Sequence, residues 1–285
     1  MREVGRPKSE DGRQQKTNNQ QRTTKMKLTL YQVDAFAEKV FQGNPAAVIP
    51  LQEWLPDETM QNIALENNLS ETAFFVPVKN GFHIRWFTPL AEVDLCGHAT
   101  LATAHVLFNH LDYKKKEINF QSRSGILKVK KQNELIVLDF PASELKEIDI
   151  PDNLKSAFKY EAVKCVKGRD DIMLVFNSEK EVINLNPDTQ KIIQSKIRGI
   201  IATAISNQYD FVSRFFAPAV GVNEDPVTGS AHTLLIPFWS NELGKTALLA
   251  KQVSKRGGIL DCKYLGERVE IGGKAVTYLI GEIDV

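Results

Sequence analysis

Runs and alternations of apolar positions divide the chain into short strands and a few helices. Leu28 to Phe36 opens the patterned part, Asn44-Pro45 turns into an apolar run over Ala46 to Ile49, and Met60, Ile63 and Ala64 form one face of a helix ending near Asn67. Strands are predicted at Thr72 to Val78 and His83 to Phe87, and Ile118 to Phe140 reads as strands broken at Ser124-Gly125 and Gln132-Asn133. Between them a helix is predicted over His98 to Leu111. Ala99, Leu101, Ala102, Ala104, Val106, Leu107 and Phe108 make it apolar nearly all round, so it belongs inside a core.

The chain also repeats itself. Arg85-Trp86-Phe87-Thr88-Pro89 recurs as Arg214-Phe215-Phe216-Ala217-Pro218, and each copy leads through acidic residues into a glycine-led helix. The first begins Cys96-Gly97-His98-Ala99 and the second Thr228-Gly229-Ser230-Ala231; the copies lie 129 residues apart at the arginines and 132 at the glycines. The second helix is again largely apolar, and Gly244 is placed to cap its end. The implied architecture is α+β, with two pseudo-symmetric halves, each a mostly antiparallel sheet or barrel wrapped around a central helix. With a border near residue 140, the halves run over 26–140 and 141–285, and a last strand near Val276 to Ile283 can cross back to the first. A length of 285 residues suits two such units.

Residues 1–25 carry Gln14, Gln15, Asn18, Asn19, Gln20 and Gln21 among scattered charges and are expected to be a disordered tail. That segment holds seven basic and three acidic residues against a whole-chain net charge of +1, which leaves the remainder at −3. A slightly acidic body does not suit nucleic-acid binding, and no apolar run is long enough to span a membrane. Cys96, Cys165 and Cys262 are odd in number and far apart, which fits neither a disulfide framework nor a CxxC pair. With no apolar leader core near the amino terminus, a cytoplasmic location is expected. A homodimer is expected from the commonness of twofold assemblies.

Each glycine-led helix leaves its first amides without helical partners and points its positive end at whatever lies in front. Two such helices facing one another make an anion site, with His98 and Ser230 at equivalent positions. Neither GxGxxG nor GxSxG is present, and Gly244-Lys245-Thr246 lacks the first glycine of a phosphate loop. Cys96-x-His98 alone lacks the other ligands of a zinc site, so no metal is expected.

Gly43-Asn44-Pro45-Ala46, Leu69-Ser70-Glu71-Thr72-Ala73, Asp94-Leu95-Cys96-Gly97-His98-Ala99-Thr100 and Glu224-Asp225-Pro226-Val227-Thr228-Gly229-Ser230-Ala231-His232 occur in this order. Together they resemble the PhzF-like (phenazine biosynthesis-like) isomerase family of the diaminopimelate epimerase fold, over about residues 27 to 285. The resemblance implies an isomerase with no cofactor, acting on a small carboxylate in the cleft between the halves. It implies Glu71 as general acid/base, His98 and Asp225 as groups that hold and polarise the substrate, and Ser230 near the proton path. Gly97, Gly229 and Asn44 are implied as substrate-binding. Related epimerases resemble the chain more distantly and use two thiols; Cys96 matches the first, but Thr228 stands at the second. Cys96 is then a small buried hydrophobe or a reactive thiol. Alternatives are an asymmetric epimerase pairing Glu71 with a second group, and a non-catalytic binding or interaction protein. Arg256-Gly257-Gly258 reads either as backbone that approaches the ligand or as a plain hairpin turn.

Overall fold

The computed structural model describes Met1 and residues 26–285. The expected disordered tail lies outside the described residues, save Met1. The first half is built from β1 (Lys27–Ala35), β2 (Asn44–Pro50), α1 (Asp57–Asn67), β3 (Glu71–Val78), β4 (Gly81–Phe87), β5 (Glu92–Val93), α2 (Gly97–Asn109), β6 (Glu117–Ser122), β7 (Gly125–Gln132) and β8 (Leu135–Pro141). There follow β9 (Lys146–Glu147), α3 (Asp152–Lys155), β10 (Lys164–Lys167), β11 (Asp171–Val175), α4 (Glu179–Ile183), α5 (Thr189–Gln194), β12 (Gly199–Ile205) and β13 (Phe211–Ala217). The chain ends with β14 (Val222–Asp225), α6 (Gly229–Leu243), β15 (Ala247–Gln252), β16 (Gly258–Tyr264), β17 (Arg268–Gly273) and β18 (Ala275–Asp284).

The α+β expectation holds, and the pairings show how the halves repeat. One sheet runs β18-β1-β2-β3-β4-β6-β7-β8, and the other β9-β10-β11-β12-β13-β15-β16-β17. They join where β8 pairs antiparallel with β17. Both are antiparallel apart from β2–β3 and β4–β6 in one and β11–β12 and β13–β15 in the other. The chain changes sheets at two points: β9 follows β8 but pairs with β10, and β18 follows β17 but pairs with β1, so the last strand crosses back to the first half.

The two apolar helices lie inside. Leu101, Ala102, Ala104 and Val106 of α2 and Ala231, Leu235 and Ile236 of α6 are essentially inaccessible to solvent and share one core. A second layer packs α1 outside the first sheet, and α3 to α5 outside the second. Gly244 ends α6 in the left-handed conformation, φ +65°, as expected of a cap. Pro237 lies inside α6 and has no N–H to offer Thr233. The Thr233 carbonyl instead accepts from the Ser143 amide at 3.0 Å, which fastens the chain to α6 where it crosses between the halves.

Register makes the repeat exact enough to compare side chains. Phe74 faces Arg85 in β3–β4, and Ala202 faces Arg214 in β12–β13. The repeated arginines thus equate Phe74 with Ala202 and, three residues earlier on each strand, Glu71 with Gly199. Ala46 pairs with Glu71 and Asp171 with Gly199, so Asn44 corresponds to Arg169.

Candidate active site

Glu71 begins β3 because α1 ends in a left-handed Asn68, φ 48°, whose amide bonds back to Ala64. Asn44 begins β2 after Gly43, φ +65°, where a Cβ would lie 2.0 Å from the Ala35 carbonyl oxygen, so only glycine fits that turn. His98 stands in the first turn of α2, and Asp225 ends β14 just before α6. These four residues meet at the junction of the halves.

Asn44 is fully buried and holds both sides. Its Nδ2 donates to Asp225 Oδ1 at 2.7 Å and to the Val227 carbonyl at 2.9 Å, and lies 3.2 Å from His98 Nδ1. Glu71 Oε2 is 3.1 Å from His98 Nε2. Beyond that ion-pair contact both buried atoms are left without a hydrogen-bond partner in the protein. An ion-pair contact with unfilled hydrogen-bonding directions is suited to a polar ligand.

Burial pulls His98 down, but Cys96 and Glu71 outweigh it and raise the imidazole well above its ordinary value. Burial also pushes the Cys96 thiol up to about 11, so it is uncharged at neutral pH. This environment favours the reading of Cys96 as a small buried side chain over that of a reactive thiol. Burial likewise pushes Asp225 up to about 6, against the pull of His98.

Neither helix N-terminus is capped by a side chain. Thr228 is of a good capping type, but its hydroxyl donates to Asp225 Oδ2 at 2.6 Å. The two starts touch: a Cβ on Gly97 would lie 3.4 Å from the Gly229 Cα. Ser230 makes no side-chain hydrogen bond to the Asn44–Glu71–His98–Asp225 network; next in the chain to Gly229, it lines a cleft of about 470 Å³ with Leu95 and Arg198.

Sequence reasoning missed three supports. Gln252 donates to the Asp225 carbonyl at 2.7 Å and accepts from the Thr228 amide at 2.9 Å, fixing the turn into α6. Arg256 bonds the Gly43 carbonyl at 2.8 Å and the buried Asp34 carboxylate at 2.7 Å, while the Gly257 carbonyl accepts from the Gly43 amide. The Arg256-Gly257-Gly258 segment is thus a clamp from the second half onto the Asn44 turn, a role neither sequence reading contained. A polar triplet at a hairpin tip was its only signal. The third support is Asp171 with Arg198 in the open cleft.

Glu71, Cys96 and His98 can present ligand atoms within 4.8 Å of one another, a set the sequence did not reveal. His98 turns Nδ1 toward Cys96 and Nε2 toward Glu71, whereas one ion takes only one of these nitrogens. The arrangement therefore fits an acid–base cluster better than a metal centre.

A carboxylate and an imidazole beside two uncapped helix starts, between halves of diaminopimelate epimerase-like fold, define an isomerase. The family follows from comparison: the profile described as phenazine biosynthesis-like protein (PhzC-PhzF) matches residues 33–281, and the chain belongs to that family. It is 51% identical over 258 residues to an uncharacterized isomerase of Pseudomonas aeruginosa, covering 90% of this chain and 99% of that one. A crystal structure of a PhzF-family phenazine biosynthesis protein from Enterococcus faecalis superposes with a TM-score of 0.88 at 47% identity, over 90% of this chain and 99% of that one. A hydroxyproline epimerase from Agrobacterium vitis shares the fold, with a TM-score of 0.61 at 9% identity over 91% and 93% of the two chains.

Proposed function

We propose that the protein moves a proton between two carbons of a small carboxylate substrate, with Glu71 as general acid/base. The observation that carries this reading is the pair of buried atoms, Glu71 Oε2 and His98 Nε2, left without hydrogen-bond partners beside two uncapped helix starts. Glu71 takes a hydrogen from a carbon conjugated with the substrate's carboxyl group, and the C–H electron pair moves into that system. Charge gathers on the carboxyl oxygens, where the amides at Gly97 and Gly229 are already oriented to hold it. His98 and Asp225 bind the substrate's polar substituents, and Ser230 meets it from the cleft. Protonated Glu71 then returns the hydrogen to a second carbon as the double bond shifts, so the step balances without a cofactor.

Glu71→Gln tests this. Exchange of the substrate's carbon-bound hydrogen with deuterated water should fall about a hundredfold or more. Carboxylate affinity and thermal stability should stay close to wild type. Equal exchange in both proteins would remove Glu71 from the mechanism and pass the role to Asp225 or Cys96.

The reading extends to a cytoplasmic homodimer. The three cysteines are free and buried, which suits a reducing compartment. No described helix is long and apolar enough to cross a membrane. Among the described residues β18 pairs on one edge only, and its Tyr278, Leu279 and Ile280 are exposed, a surface a second copy would cover. A monomer mass in sedimentation at micromolar concentration would remove the dimer.

A further inference from the structure

The cleft lined by Ser230 is the pseudo-symmetric counterpart of the Glu71 site. Ser230 stands where His98 does, and Gly199 replaces Glu71 at the start of the matching strand. A carboxylate is still present, but one strand over: Asp171, the parallel partner of Gly199, is 7% exposed. A Cβ on Gly199 would lie 2.7 Å from Asp171 Oδ1 and 2.2 Å from the Phe215 ring, so the missing side chain is what makes room for Asp171. Asp171 Oδ2 accepts from the Arg198 guanidinium, while Oδ1 is buried with no partner. A buried carboxylate with an idle oxygen is a poor device for stability, because its desolvation is only half compensated. It is a good device for aiming an arginine. Arg198 stands over the Phe215 ring, 42% of its side chain is exposed, and only one of its nitrogens is engaged by Asp171.

Of the charged side chains around the cleft, Asp170 is tied to Arg169 and Asp171 to Arg198, and Glu144 lines it together with Lys146 and Lys167, which leaves the lining with a formal charge of +1. The volume, about 470 Å³, is that of a small-molecule site. An arginine fork with free donors, held from behind and facing such a space, matches a planar anion in two-point contact.

We propose that Arg198 is a specificity residue that binds a second carboxylate at the far end of the substrate, and that Asp171 is its positioning residue. The substrate class becomes a small dicarboxylate, or a carboxylate with an equivalent planar anionic substituent. The inference rests on the preceding reading, in which the first carboxylate lies at the Gly97 and Gly229 amides.

The test measures affinities by calorimetry for matched pairs of probes: succinate, glutarate and adipate against butyrate, pentanoate and hexanoate. Wild type should prefer at least one dicarboxylate over its monocarboxylate partner by about tenfold or more, the worth of a charge-assisted contact. Arg198→Gln should abolish that preference and leave monocarboxylate affinity unchanged. Arg198→Lys should restore part of it, and Asp171→Asn should weaken it while the melting temperature stays within a few degrees of wild type. If monocarboxylates bind but no preference exists, or the preference survives Arg198→Gln, the assignment of Arg198 is overturned and the Glu71 mechanism stands. If wild type binds none of the six probes, the amide site falls and this inference falls with it.

Discussion

In the first half the parallel pair β2–β3 begins with Asn44 and Glu71 beside His98; in the second, β11–β12 is flanked by Arg169 and begins with Asp171 and Gly199 beside Ser230. The backbone is the same and the side chains are not. The first site is closed by Arg256 from the opposite hairpin, which reaches over the Gly43 turn. Its counterpart in the first half, the hairpin carrying Arg123, bonds to Glu92 and leaves the second site open. A duplicated fold gives two equivalent places in front of two converging helices, and on the proposed reading chemistry is concentrated in one and recognition in the other.

The largest expected effect comes from making the second half imitate the first. Gly199→Ala would put a methyl 2.2 Å from the Phe215 ring and against the Asp171 oxygen, with little slack in a strand buried on both sides. Overpacking of this kind costs about 1–3 kcal/mol, and the upper end is expected here. Gly199→Glu should be worse still. Urea titration of Gly199→Ala checks this, and wild-type stability would show that the carboxylate shift between strands has no steric cause.

A smaller effect separates Asn44 from its counterpart. Asn44→Ala would leave Asp225 Oδ1 and the Val227 carbonyl without their buried donor, at a cost of roughly 2 kcal/mol. The Arg169 side chain is 79% exposed, and Arg169→Ala should change stability by less than about 0.5 kcal/mol. Equal losses in the two variants would break the comparison.

Much of this asymmetry was legible in the sequence, but through different routes. The repeat of Arg85-Trp86-Phe87 as Arg214-Phe215-Phe216 and the glycine-led apolar helices gave the halves, because helix periodicity and a doubled motif are local signals. Glu71, His98, Asp225 and Asn44 were legible only as family motifs; nothing in their spacing shows that they meet. Asp171 and Arg198 carried no motif at all. Their juxtaposition depends on the parallel register of β11 and β12, and register is a property of the folded sheet rather than of either strand. The same holds for Gln252 and Arg256, which act on turns distant in sequence.

The smallest expected effect is the near-cancellation of two opposing pH dependences, both in the second half. His232 and Asp225 both titrate there, while their counterparts Thr100 and Val93 cannot ionise. Thr100 and His232 each bond the carbonyl four residues back, at 2.6 Å and 2.8 Å, so the same contact is made once by a hydroxyl and once by an imidazole. Burial pulls His232 down to about 4, below its unfolded value of 6.5. Its contribution to stability is complete above about pH 6.5 and is lost as pH falls toward 4. Asp225 behaves oppositely: its folded value of about 6 lies above the unfolded 3.8, so the preference for the protonated acid is complete below 3.8 and is lost as pH rises through 6. Between roughly pH 4 and 6 the two slopes oppose each other and largely offset. Removing either group should expose the other. Relative to wild type, the unfolding free energy of Asp225→Asn should rise with pH over that window, and that of His232→Gln should fall. Each slope is at most about 1.4 kcal/mol per pH unit. Titrating groups distant from both positions drop out of the differences because all three proteins share them. Difference curves that ran parallel would mean that these two groups do not titrate in opposite directions on folding, and the pH asymmetry between the halves would then have to be sought in the Glu71–His98 pair instead.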